Sequence, residues 1–188
     1  MEHMEQSYTI FETAHGFCAI VWNANGITRF RLPVSSADGA ERDLLRVHPG
    51  IVPGTPNAQV NEAIATAKRY YEGETVDFSP IPVDLGRLGD FSKQIYTRLR
   101  SITYGQTTTY GALAKELGID DWEGARDVGQ AMGKNPVPLI IPCHRVLAAG
   151  NKIGGFSAPG GAETKARMLE LEGVRLGPPP PAQGSLAL

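Results

Sequence analysis

The sequence predicts an α+β fold: a small N-terminal α/β domain with an antiparallel sheet, then a mainly helical C-terminal domain. Three observations predict it. Residues 17–22 form a short apolar run of strand formers, and Asn23-Ala24-Asn25-Gly26 joins it to a second run at 27–32, which is a hairpin pattern. Residues 57–72 carry Val60, Ile64, Ala67 and Tyr71 at helical spacing, giving one apolar stripe. Beyond Gly86–Asp90, short helical patterns punctuated by glycines replace the strand pattern. The division expected is 1–88 for the first domain and 89–176 for the second, with a disordered, proline-rich tail at 177–188.

In the second strand of the hairpin, Thr28, Phe30 and Leu32 alternate with Arg29 and Arg31, so one sheet face is expected to be wet. A helix is predicted at 38–47 and a stronger one at 57–72, which Gly73 can end. Ile81 to Asp84 reads as extended. Asp90 is the expected N-cap of a helix whose face carries Phe91, Ile95, Leu99 and Ile102. Helices at about 109–117 and 122–133, joined through Gly118-Ile119-Asp120-Asp121, suggest a helix-turn-helix, although a plain helical hairpin has the same pattern. Residues 137–142 are apolar but broken by Pro138 and Pro142, so a buried extended segment is expected there. Gly154, Gly155, Gly160 and Gly161 make a loop before a last helix at about 162–172.

The net charge of −2 divides unevenly: residues 1–90 hold 7 Lys/Arg against 12 Asp/Glu, and residues 91–188 hold 11 against 8. Positive charge therefore collects in the C-terminal half, which permits nucleic-acid binding there without demonstrating it. The two cysteines, Cys18 and Cys143, lie far apart in sequence, which argues against a disulfide framework and fits a reducing compartment. No apolar run approaches the length of a membrane span. The polar start, Met1-Glu2-His3-Met4-Glu5, lacks a signal-peptide pattern, so a cytoplasmic location is expected.

The chemistry centres on Pro142-Cys143-His144-Arg145-Val146. A thiol at its ordinary pKa is mostly protonated at neutral pH, so a nucleophilic Cys143 needs a base, and His144 offers one. On extended backbone, however, adjacent side chains point to opposite faces. A turn or a bridging water would have to connect the two. Taken without its surroundings, a Cys-His pair is more often structural than catalytic.

The surroundings resemble one family. The stretch Asn135-Pro-Val-Pro-Leu-Ile-Ile-Pro-Cys-His-Arg-Val146 is similar to the active-site signature of the O6-alkylguanine-DNA alkyltransferases. The likeness extends through Thr107 to Ala114, Ala125 to Met132, Gly154 to Ser157 and Leu171 to Gly173, covering roughly residues 90–174 with the motifs in order. This resemblance implies a ribonuclease H-like N-terminal domain and a winged-helix-like helix-turn-helix in the C-terminal one.

It also implies roles. Cys143 is the alkyl acceptor, His144 takes the thiol proton through a water, Glu172 orients the imidazole, and Tyr110 donates a proton to the departing guanine. Arg126 fills the gap left by the flipped nucleotide. Gly124, Ala125 and Gly129 let their helix approach the minor groove of double-stranded DNA. Asn135 ties that helix to the active-site segment. Met132, Val146, Gly155, Phe156 and Ser157 wall the substrate pocket, and Arg145 makes a structural ion pair. No cofactor is implied, and no metal, since His3, His15, Cys18 and His48 lack ligand spacing.

The reaction expected is direct, single-turnover repair of O6-alkylguanine by a monomer acting as a methylated-DNA–[protein]-cysteine S-methyltransferase. Phe156 stands where many relatives have Tyr, so a hydroxyl contact there is missing. The alternative is a non-transferring protein that binds alkylated DNA and recruits other repair factors; the presence of Cys143 speaks against it. A cysteine hydrolase would have no use for Arg126.

Overall fold

The computed structural model describes residues 4–156, 158 and 160–176. Ser157 and the tail expected to be disordered lie outside the described residues. Strands β1 (Ser7–Thr13), β2 (Gly16–Asn23) and β3 (Gly26–Val34) form an antiparallel meander, and the short β4 (Val52–Pro53) pairs parallel with β1. The sheet order is β3-β2-β1-β4. The expected hairpin is β2–β3, closed by Asn23, whose side chain accepts from the Asn25 N–H at 2.8 Å. β1 and β4 were not expected, although Ser-Tyr-Thr-Ile-Phe-Glu-Thr in β1 is rich in strand formers.

The wet sheet face is not found. Helix α1 (Ala37–Val47) lies on it, and Leu44 packs there with Tyr8, Ala19 and Val21. Cys18, Ile20 and Trp22 face the other way, into a core shared with Val60 and Ala67 of α2 (Ala58–Tyr71). A strand covered on both faces reads as a continuous apolar run, as β2 does. Arg29 and Arg31 are left half-buried.

Local chemistry sets the helix starts. The side chains of Ser36 and Asn57 accept from the N–H groups of Gly39 and Val60 and cap α1 and α2. Helix α3 (Asp90–Arg100) is capped by Gly89 with no side-chain bond. Asp90 is thus the first helical residue, where its charge still complements the helix dipole. Phe91, in that first turn, is 40 % exposed and stands outside the core that Ile95 and Leu99 join.

Helices α4 (Tyr110–Glu116) and α5 (Trp122–Gly133) are capped by Thr109 and Asp121. Gly118 between them has φ +74°, a conformation that favours glycine. A side chain at Gly124 would collide with Ile119, so this glycine serves the packing of the turn rather than approach to a groove. Strands β5 (Thr108–Thr109) and β6 (Val146–Leu147) pair in parallel, and α6 (Gly161–Leu171) ends on Glu172.

One apolar cluster runs from Phe11 and Trp22 through Tyr70 and Leu99 to Met168. Arg100 ties α3 to the N-terminal half by donating to the carbonyls of Phe78 and Ile81 at 2.8 and 2.7 Å. Among the described residues no helix is long and apolar enough to cross a membrane.

Candidate active site

The segment before the thiol is buried and non-helical, as expected, and Asn135 shapes it. Its Oδ1 accepts from the Val137 N–H at 2.9 Å and its Nδ2 donates to the Ile141 carbonyl at 2.9 Å. Leu139 sits at φ +75°, a strained position for a branched residue that the surrounding packing must hold. The chain then turns through a single 3₁₀ turn at Cys143–Arg145. Successive side chains on such a turn diverge by about 120° rather than alternating between two faces. Cys143 and His144 are therefore not forced apart as they would be on a strand.

Cys143 is 6 % exposed and fronts a cleft of about 470 Å³, lined also by Tyr110, Gly129, Met132, Gly155 and Phe156. His144 is fully buried beneath, and its Nε2 lies 2.5 Å from Glu172 Oε2. A carboxylate can only accept, so Nε2 carries the hydrogen and, in the neutral ring, Nδ1 holds the lone pair. That Nδ1 has no hydrogen-bond partner among the described residues. Burial outweighs the pull of Glu172 and keeps the imidazole pKa below its ordinary value. The ring is thus poised to take a proton.

Glu172 is held by four donors. Besides His144, Arg145 Nε donates to Oε1 at 2.7 Å, the Gly105 N–H to Oε1 at 3.0 Å, and the Tyr70 hydroxyl to Oε2 at 2.7 Å. Burial by itself would raise the carboxyl pKa. The hydrogen bond and charge of His144, the charge of Arg145 and the Gly105 N–H together hold it well below the usual carboxylate range. Arg145 is fixed in turn by the Ile102 carbonyl at 2.6 Å, so it makes a structural ion pair and does not line the cleft.

Burial pushes the Cys143 thiol pKa up, while Asn135 and Lys165 oppose that shift. Burial and the neighbouring thiol raise Tyr110 as well, which keeps its hydroxyl protonated and able to donate. Val146 is fully buried and outside the cleft lining; its carbonyl accepts from Lys165 Nζ at 2.6 Å. Ala125 and Arg126 are exposed on α5, and the Arg126 guanidinium lies 5.9 Å from the centre of the Trp122 ring. Trp122 is 70 % exposed and supports that arginine through cation–π contact.

A family profile described as the 6-O-methylguanine DNA methyltransferase, DNA binding domain, matches residues 90–174. A methylated-DNA–protein-cysteine methyltransferase of Sulfolobus acidocaldarius is 32 % identical over 169 residues, covering 90 % of this chain and 94 % of the relative. This chain belongs to the methylated-DNA–protein-cysteine methyltransferase family. A member from Metallosphaera sedula is 40 % identical over 104 residues, a match spanning 55 % of this chain and 62 % of that relative. A DNA base-flipping protein of Thermus thermophilus is 36 % identical over 135 residues, 69 % of this chain and 86 % of the relative. Among solved structures, that of Mycobacterium tuberculosis OGT in complex with DNA superposes with a TM-score of 0.70 at 31 % identity, covering 91 % of this chain and 95 % of that one.

In this methyltransferase-family chain two side chains join the site that the sequence did not single out. Tyr70 reaches Glu172 across 102 positions of sequence, a separation no local pattern reports. Lys165 is fully buried, an unusual state for a lysine. Its ammonium lies 5.5 Å from the centre of the Tyr110 ring, and burial brings its pKa down to about 8. Cys18, by contrast, is packed in the core with its thiol pKa raised by burial. Among the described residues no group of three His, Cys, Asp or Glu could hold a metal.

Proposed function

We propose that this chain reverses O6-alkylguanine damage in double-stranded DNA by moving the alkyl group irreversibly onto Cys143. The observation that carries this is the placement of the thiol: it fronts an open cleft while the His144–Glu172 pair lies fully buried behind it. The flipped guanine enters the cleft, at a cost of a few kcal/mol for leaving the stack. The thiol proton passes through a water to His144 Nδ1. Sulfur attacks the O6-linked carbon; the C–S bond forms as the C–O6 bond breaks, and its electron pair goes to the purine. Tyr110 gives the ring a proton and is reprotonated through solvent from the imidazolium. The thioether has no easy leaving group, so each molecule acts once.

Under this reading α4 and α5 form a winged-helix-like unit in the minor groove, where sequence is read poorly, as suits repair at any site. Ala125 and Gly129 permit close approach, and Arg126 occupies the vacated stack. Residues 1–88 form a ribonuclease H-like domain and residues 89–176 the DNA-binding and transfer domain. The protein acts as a monomer in the cytoplasm, without cofactor or metal.

Intact-mass analysis after incubation with a duplex carrying O6-methylguanine tests the reading. One methyl increment on the wild type and none on Cys143→Ser is expected. Free product in excess of protein would point to a hydrolase instead.

A further inference from the structure

A second cleft, of about 240 Å³, meets the first at Cys143, Met132 and Phe156. Its other wall comes from the N-terminal half: Arg29 and Arg31 of β3, and His48, with Lys134 alongside. On this wall Arg29 and Arg31 carry positive charge with no carboxylate in ion-pair contact among the described residues. The charge of the neighbouring Arg87 is offset in part by Asp84. Arg31 donates to the Asp43 carbonyl at 3.2 Å and Arg87 to the Thr28 carbonyl at 3.0 Å. Arg29 makes no side-chain hydrogen bond to any described residue. Burial, then Arg87 and Arg31, lower Arg29 to about 10; burial, then the three arginines, lower His48 to about 4. Like charges gathered in a half-buried cleft cost stability, and an anion placed among them would relieve that cost.

In-line attack fixes where such an anion comes from. With the purine in the first cleft, the transferred carbon lies at the sulfur, where the two clefts join. Whatever else that carbon bears then lies at the junction, with the second cleft open to it. We propose that the arginine-lined cleft receives the remainder of the transferred group and favours O6-alkyl substituents that end in a carboxylate. This rests on the transfer reading above. For a carboxymethyl group, sulfur attacks the CH2 carbon, the C–S bond forms, the C–O6 bond breaks with its electron pair leaving on guanine, and the carboxylate stays on the product facing Arg29 and Arg31. The N-terminal half thereby selects among adducts.

The test compares duplexes carrying O6-carboxymethylguanine, its neutral carbamoylmethyl isostere and O6-methylguanine in single-turnover experiments. The wild type should transfer the carboxymethyl group about tenfold faster than the carbamoylmethyl group. In Arg29→Gln, and in the Arg29→Gln/Arg31→Gln double variant, that ratio should fall towards one. Taking the ratio within each variant cancels any general loss of activity. Arg29→Gln removes a repelling charge and no hydrogen bond, so its melting temperature should not drop. A wild-type ratio near one, or a ratio unmoved by Arg29→Gln, overturns the proposal while methyl transfer persists. Absence of methyl transfer itself would instead sink the repair reading.

Discussion

Replacing Tyr70 with Phe removes a single oxygen from the far side of the buried relay. The ring stays, so no cavity opens. The hydroxyl lies 2.7 Å from Glu172 Oε2 and 3.2 Å from the Met168 carbonyl, and its one proton goes chiefly to the nearer, charged acceptor. A hydrogen bond to a charged group contributes about 1.5–3 kcal/mol. For a chain of this size each kcal/mol moves the melting temperature by about 2–4 °C, so a drop of about 3–12 °C is expected at pH 7. Chemistry should shift too. With one donor gone, Oε2 concentrates its charge on His144 and raises the imidazole pKa from its depressed position. The acid limb of the single-turnover rate profile should then move to higher pH. Tyr71 is the internal control, because its hydroxyl is buried with no partner among the described residues. Tyr71→Phe removes an unsatisfied polar atom and should leave stability unchanged or improved. Calorimetry and rate–pH profiles of the two variants decide the matter. Equal melting temperatures, or an unmoved acid limb in Tyr70→Phe, would refute the reasoning.

Glu172→Gln should cost about 3–5 kcal/mol at neutral pH by leaving Arg145 unpaired. Because the folded-state pKa of Glu172 lies at about 2, below its unfolded value of about 4.3, that contribution is complete above about pH 4.3 and is lost as pH falls towards 2. The melting-temperature gap to wild type should therefore narrow in acid; a gap that widens contradicts the linkage. Gly129 lines the cleft with nothing beside its Cβ position. Gly129→Phe should thus hold or raise the melting temperature, since glycine is a poor helix residue, yet abolish alkyl transfer; retained transfer would show that the base does not enter there. Arg126→Ala should slow repair of duplex DNA by about 10–100-fold, in proportion to the cost of flipping. The free base O6-methylguanine, which needs no flipping, should react at an unchanged rate, and equal losses on both substrates would remove Arg126 from that role.

The helices were legible because their signals are local. Ser36, Asn57, Thr109 and Asp121 each cap a helix with their own side chains, and Gly118 ends α4 with a conformation glycine adopts freely. Asp90 misled because a capping residue and a first-turn acid look alike in sequence. The alternation in β3 does not reveal that α1 covers its arginine face, because what covers a sheet depends on where a later helix lands.

The sequence by itself determined that Cys143 and His144 stand side by side and in what order the family's motifs surround them, since Pro142 to Val146 and their flanking stretches lie close along the chain. It did not determine how the imidazole of His144 is held. Tyr70, Gly105 and the adjacent pair His144 and Arg145 come from three separate stretches and converge on the Glu172 carboxylate. The cleft that joins Arg29 to Cys143 likewise exists only once β3 is folded against the C-terminal half, where the Phe30 N–H donates to the Pro136 carbonyl at 3.0 Å. Short-range backbone preference is written in adjacent residues. The strength of a buried charge depends on which distant groups replace water around it, and only the folded chain decides that.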